Sequence, residues 1–234
     1  MRKTAIALLA LGLVMATTAY ASNAVRISQI YGGGGGGTSN TYKYDYVELF
    51  NNSGSAVDIS GWQLQYGSAT GSSFGSSSFN YATIPASQTI PACGYYLIRC
   101  GSAGSGGADL PVTPDFAPAT INVSATTGKF VLTKDGFTNQ PCADYLSGGD
   151  NYPPVDLVGW ATANCYETAA GPGTDGAHVL VRGGGGMTDN DNNSTDFTST
   201  LQPYAMHNSS MTNADCIATP TQSTTWGRIK TIYK

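Results

Sequence analysis

What most limits the fold of this chain is the shortness of its apolar runs. Past residue 21 they alternate with polar residues over a few positions and are cut by clusters of Gly, Ser and Asn. An amphipathic helix needs an apolar stripe recurring every 3.6 residues across about twelve positions, and no convincing window of that kind follows the N-terminus. Trp62, Leu64 and Tyr66 fall on one face of an extended segment with Gln63 and Gln65 on the other, the period of two that marks a strand. Similar runs at 25–30, 46–50, 57–59, 95–99, 129–133, 155–158 and 179–181 bring the count to about eight short strands. Short strands split by turn signals predict an all-β fold, an antiparallel sandwich or barrel. Charge agrees, since only 11% of residues are Asp, Glu, Lys or Arg, too few for a coiled coil or a charge-laced bundle. Six glycines at 32–37 suit no regular element. The long Gly/Ser-rich stretches 67–80, 101–119 and 139–152 are expected to be mobile loops at the ends of the sandwich.

The first residues carry a different message. Met1-Arg2-Lys3 is positive, 5–15 is apolar, and Ala19-Tyr20-Ala21 supplies small residues at the exit, the pattern of a secretory leader over residues 1–21. The expected product is secreted or held at the cell surface. The apolar run is too short to remain as a membrane span, and no later segment reaches that length. Without the leader 9 basic residues face 15 acidic ones, a net charge of −6. Phosphate is repelled by such a surface, so nucleic acid is disfavoured as a partner.

Five cysteines follow, Cys93, Cys100, Cys142, Cys165 and Cys216, and in an oxidising compartment four can pair. The strand expected between Cys93 and Cys100 holds them beyond the reach of a bridge. Cys142 and Cys165 flank the apolar stretch 155–160 and are the preferred pair. Neither their spacing nor the two isolated histidines, His178 and His207, resembles a zinc site.

From Asp45 to Leu64 the pattern is specific. A strand holding Glu48, a turn at Asn52-Ser53, the short Val57-Asp58-Ile59-Ser60 and then Gly61-Trp62-Gln63-Leu64 together resemble the lamin tail domain family, in its secreted bacterial branch. Ile90-Pro91-Ala92 before Tyr95-Tyr96-Leu97, Asp156-Leu157-Val158-Gly159 and the stretch from Asp189 to Phe197 agree. The resemblance implies an immunoglobulin-like β-sandwich over residues 22–200, no catalytic residues, and an architectural or binding role. Cys93 stands where the resemblance leads one to expect glycine. Residues 201–234 form a polar extension beyond the domain, ending in a basic, aromatic segment.

Several residues are candidates for chemistry. Asp189, Asp191, Asn193 and Asp196 place hard oxygens along one loop, as calcium requires, although a plain Asx turn uses the same residues. An EF-hand is excluded, because its glycine and glutamate positions hold Ser194 and Thr200. Gly71-Ser72-Ser73-Phe74-Gly75 satisfies the nucleophile-elbow pattern but lacks the strand-to-helix setting that gives such a serine its activity. Glu48, mid-strand beside aromatics, is expected to face solvent. Tyr31, Tyr42, Tyr44 and Tyr66, around the glycine run, offer a surface platform for a sugar or protein, or else fill the core. Trp226, Arg228, Lys230 and Tyr233 in the final segment suit a sorting signal or an added strand docking on a neighbour. The expected function is a secreted or surface-attached, non-enzymatic module with an adhesive, structural or protein-binding role. A calcium-assisted carbohydrate-binding module is the first alternative, and an extracellular hydrolase the second. Partners are then an extracellular protein, a glycan or a further copy of the chain.

Overall fold

The computed structural model describes residues 24–37, 40–134, 136–146 and 154–216. In chain order the strands are β1 (Val25–Tyr31), β2 (Asp45–Asn51), β3 (Val57–Asp58), β4 (Gln63–Gly67), β5 (Ser73–Phe74), β6 (Tyr81–Thr83) and β7 (Thr89–Ile90). They continue with β8 (Tyr95–Cys100), β9 (Gly128–Thr133), β10 (Gln140–Pro141), β11 (Pro154–Trp160), β12 (His178–Arg182) and β13 (Phe197–Leu201). Two short helices, α1 (Cys142–Leu146) and α2 (Asn193–Asp196), precede β11 and β13. Five strands pair antiparallel in the order β13-β12-β1-β2-β8 and four in the order β11-β9-β4-β6, with two-stranded pairs β10-β5 and β3-β7 beside them. The architecture is an immunoglobulin-like β-sandwich.

The core lies between the two larger sheets. Val25, Ile27, Ile30, Val47, Leu49, Ile98 and Leu180 meet Trp62, Leu64, Tyr66, Phe130, Leu132 and Trp160 there. The alternation of Trp62, Leu64 and Tyr66 is therefore the inner face of the second sheet. In a regular strand Ile27 and Ile30 would point to opposite faces. A bulge between Ile27 and Gln29 shifts the register and returns both to the core.

Strict inside–outside alternation fails on the outer faces, because those are covered too. β1, β2, β4 and β9 are buried along their whole lengths. On the five-stranded sheet, Tyr31, Tyr46, Leu97, Val179 and Val181 form a second apolar cluster with Tyr42 and Met206, packed by Leu110, Val112 and Tyr204. On the four-stranded sheet, Val131 and Leu157 pack against Phe74, Tyr145 and Cys165. The described parts of the Gly/Ser-rich stretches thus lie across the faces of the sandwich, where loops at its ends were expected. Small residues let these segments approach the sheets closely, and single bulky ones such as Phe74 and Leu110 anchor them.

Of the two settings open to the tyrosines, the structure takes the core and not a surface platform: Tyr31, Tyr42 and Tyr66 are buried and Tyr44 is half-buried. Tyr31 packs 5.5 Å from Tyr46, and its hydroxyl donates to Gly176 O while accepting from the Thr41 and Tyr42 amides.

Two bridges form, Cys142–Cys165 and Cys93–Cys216, and Cys100 is a buried free thiol. Cys93 has φ 52°, the left-handed region that favours glycine. The requirement for glycine at this turn is conformational; here a bridged cysteine occupies it instead.

Asp45, at the start of β2, holds two crossing segments together. Its Oδ2 accepts a hydrogen bond from the Val123 amide (2.8 Å), with the Gly34 amide beside the carboxyl, while its Oδ1 has no partner among the described residues. Gly34 is needed for the approach, because a β-carbon there would collide with the backbone of Tyr44 and Asp45. Burial pushes the Asp45 carboxyl up to about 7, and the two amides offset only part of the rise. A raised acid stabilises the fold below its unfolded pKa, near 4, and that contribution is lost as the pH climbs through 7. Asp45→Asn is therefore expected to flatten the decline in stability between about pH 4 and pH 7. Urea midpoints at both ends of that window check it; an unchanged difference between them contradicts it.

Candidate functional site

Arg182, at the end of β12, is completely buried and organises the most highly charged part of the molecule. Its Nε donates to Ile27 O (2.8 Å), and one terminal nitrogen donates to both oxygens of Asp156 (2.9 and 2.8 Å). The other reaches Thr188 O and Asp189 Oδ1, both at 3.3 Å, and lies 3.7 Å from Asp196 Oδ2. The guanidinium also stacks 4.5 Å over the Phe197 ring. Desolvation works against its charge, but Asp156, Asp189 and Glu167 outweigh that effect and raise its pKa. Asp156 itself comes from β11, so this pair ties the two sheets together. Arg26 adds a second cation, 3.5 Å from Asp189.

The acidic loop wraps this cluster. Asn192 caps α2 by accepting from the Ser194 amide. Asp196 accepts from the Asn190 amide (3.0 Å), the Asn190 side chain (2.7 Å) and the Asn192 amide (3.3 Å). Asn193 spends its whole amide: Oδ1 accepts from Gly159 N (2.8 Å) and Glu167 N (3.2 Å), while Nδ2 donates to Leu157 O (3.0 Å) and Glu167 Oε2 (2.9 Å). Much of the Asp/Asn pattern thus closes a turn and sews it to β11.

Of the four expected calcium ligands, only Asp189 and Asp196 converge. Asn193 is turned into the fold, and Asp191 is exposed at the tip of the loop with φ 51°. The third carboxylate beside the pair is Glu167, and oxygens of Glu167, Asp189 and Asp196 lie within 4.8 Å of one another. These three could hold a hard cation, but Arg182 already places positive charge against two of them. Burial, reinforced by the charge of Asp156, pushes Glu167 up to about 9, so it carries a proton at neutral pH. Nothing in the sequence around Glu167 signals this meeting.

On the outer face of the five-stranded sheet lies a second polar arrangement that sequence reasoning missed. Glu48 was expected in solvent and is instead buried, because residues 202–216 cross over it. Its carboxylate accepts from Ser28 Oγ (2.7 Å), Gln29 Nε2 (3.1 Å) and the His207 amide (2.7 Å), with His207 Nδ1 at 3.1 Å. Buried charge needs such partners. The His207 ring stacks on Tyr95 at 4.2 Å. Gln202 donates to the Tyr46 hydroxyl (2.8 Å), Gln29 to Ala205 O (2.7 Å), and Ser209 through its amide and hydroxyl to Asp115 (3.0 and 2.5 Å). Thr212 bridges to Gly94, Asn213 N donates to Cys93 O, and the Cys93–Cys216 bridge closes the strap. Everything C-terminal to Cys216 therefore begins from a covalently pinned point.

The remaining candidates have plain settings. Ser73 lies in β5 opposite Pro141, and its hydroxyl donates to Asn139 Oδ1 (2.8 Å); the chain then runs on to β6, not into the helix an elbow needs. His178 Nδ1 lies 2.6 Å from Asp175 at the start of β12. Trp226, Arg228, Lys230 and Tyr233 lie outside the described residues, as does the leader expected at 1–21. Among the described residues no helix is long and apolar enough to cross a membrane.

Comparison with known families agrees with this architecture. Residues 18–215 match the family described as Lamin Tail Domain, a span that includes nearly the whole strap. No curated protein matches the chain.

Proposed function

The chain belongs to the lamin tail domain family, and from that premise we propose that it works outside the cell as a non-enzymatic adhesive or structural module, docked to a neighbour through residues 226–234. The observation that carries this reading is the strap. Residues 202–216 are locked to the sandwich by the Glu48 contacts and a disulfide, so the segment beyond Cys216 is presented from a rigid base. A pinned root lowers the entropy lost when a following segment binds. Two disulfides suit an oxidising, extracellular setting, and residues 1–21 supply the leader that would take the chain there. The final segment carries Trp226, Arg228 and Tyr233, residue types enriched at protein interfaces, with Lys230 among them as a further cation.

Cell fractionation with and without residues 226–234 tests it. The full chain is expected at the cell surface, and the shortened chain mostly in the medium. Equal retention of both overturns the docking role.

A further inference from the structure

Of the four outer strands of the two large sheets, two are covered and the three-residue β6 is covered at one end. Along β8, the amides of Asp115 and Phe116 donate to Leu97 O, and Arg99 N donates to Phe116 O. β11 is closed by the Asn193 side chain and by Gly171, whose amide donates to Gly159 O. Beside β6, Ile121 N donates to Phe79 O just before the strand and Thr120 Oγ1 to Tyr81 O, which covers its first residue and leaves Thr83 exposed. β13 is different. Gln202 N donates to Ala177 O at 2.8 Å, one step beyond the His178↔Leu201 pair. Bonded and non-bonded pairs alternate in an antiparallel ladder. Val179↔Thr200 and Val181↔Thr198 are thus the bonded pairs, and the main-chain groups of Ser199 and Leu201 face away from β12. Thr198 and Ser199 are exposed, and Leu201 is 62% exposed. Among the described residues no strand pairs with this edge, and an open edge of this kind is a template for another strand.

We propose that this edge receives the 228–233 segment of a second copy as an added strand, joining molecules head to tail. The proposal rests on the reading of 226–234 as a docking segment and names what it docks on. Arg228-Ile229-Lys230-Thr231-Ile232-Tyr233 is rich in β-branched and aromatic residues. Charge favours the pairing: residues 24–216 hold 6 basic and 15 acidic groups, and residues 217–234 three basic and none acidic. Asp189 and exposed Asp191 stand in the loop that leads into β13. The bridge to Cys93 roots the segment beside β8, at the opposite side of the sheet from β13, four strand spacings or about 19 Å away, so a second molecule can offer it to this edge without spanning the sheet. Donor and acceptor at opposite edges make a heterologous contact, which propagates into chains or closes into rings.

Sedimentation velocity of the purified full chain, from about 1 to about 100 µM, tests this. Species larger than the monomer are expected to grow with concentration and to shrink with added salt. Ser199→Pro removes an outward N–H at an edge position where proline is tolerated. Leu201→Lys replaces the exposed apolar contact by a charge without touching the backbone. Each is expected to move the association midpoint at least about tenfold upward, and deletion of 226–234 to abolish association. A chain that stays monomeric, or association that ignores both edge variants, overturns the proposal. So does a monomer whose deletion variant binds an added 226–234 peptide, which would assign the edge to the molecule's own segment. Intact self-association with no loss of surface retention on deletion overturns only the surface-docking reading and leaves this one standing.

Discussion

Arg182→Met is expected to destabilise the protein by about 3–5 kcal/mol, lowering its melting temperature by roughly 10 °C. The substituted side chain fills much of the volume, but it strands Asp156 and Asp196, both almost fully buried, without their main counter-charge. It also removes the hydrogen bonds to Ile27 O and Thr188 O. Lys43→Met is the control: Lys43 meets Asp109 at 3.4 Å on the surface, and an exposed pair of that kind contributes about 1 kcal/mol or less. Thermal melts of the two variants beside the parent settle the comparison, and similar shifts for both would show that the buried cluster does not hold the sheets together.

Loss of the Cys93–Cys216 bridge has the next largest expected effect. Replacing both cysteines by serine frees a loop closed across a sequence separation of 123, and removing native bridges of this kind costs about 2–4 kcal/mol. The Cys142–Cys165 bridge spans 23 positions, so on chain entropy alone its removal costs about 1.5 kcal/mol less. The two double variants should also differ in where they loosen. Without Cys93–Cys216, the amides of His207 and Asn213 should exchange faster, because the strap is released at its far end. Hydrogen exchange confined to residues near α1 in both variants would contradict that assignment.

The strands that fill the core were legible because burial on one face writes itself as alternation, as at Trp62, Leu64 and Tyr66. β13 escaped notice, since Phe197 is its one buried residue and the rest is Thr, Ser and an exposed Leu. Glu48 misled for a related reason: a glutamate between Val47 and Leu49 reads as solvent-facing unless something covers that face. Its cover comes from His207, 159 positions away, and no local pattern carries such a partner. Asn193 and Asp196 were singled out for their oxygens, yet those oxygens are occupied by backbone amides contributed by Gly159, Glu167 and Asn190.

Local composition by itself determined that the chain is all-β, a sandwich or barrel of short antiparallel strands, because period-two burial and turn chemistry depend only on neighbouring residues. It also pointed to the family, whose motif lies within one twenty-residue stretch. Only the tertiary structure decided which faces are closed, which carboxylates meet Arg182, and which sheet edge is left open. Those outcomes are contacts between separate segments, 26 positions apart for Arg182 and Asp156 and 159 for His207 and Glu48, set by how loops cross the sheets, and side-chain periodicity holds no record of them.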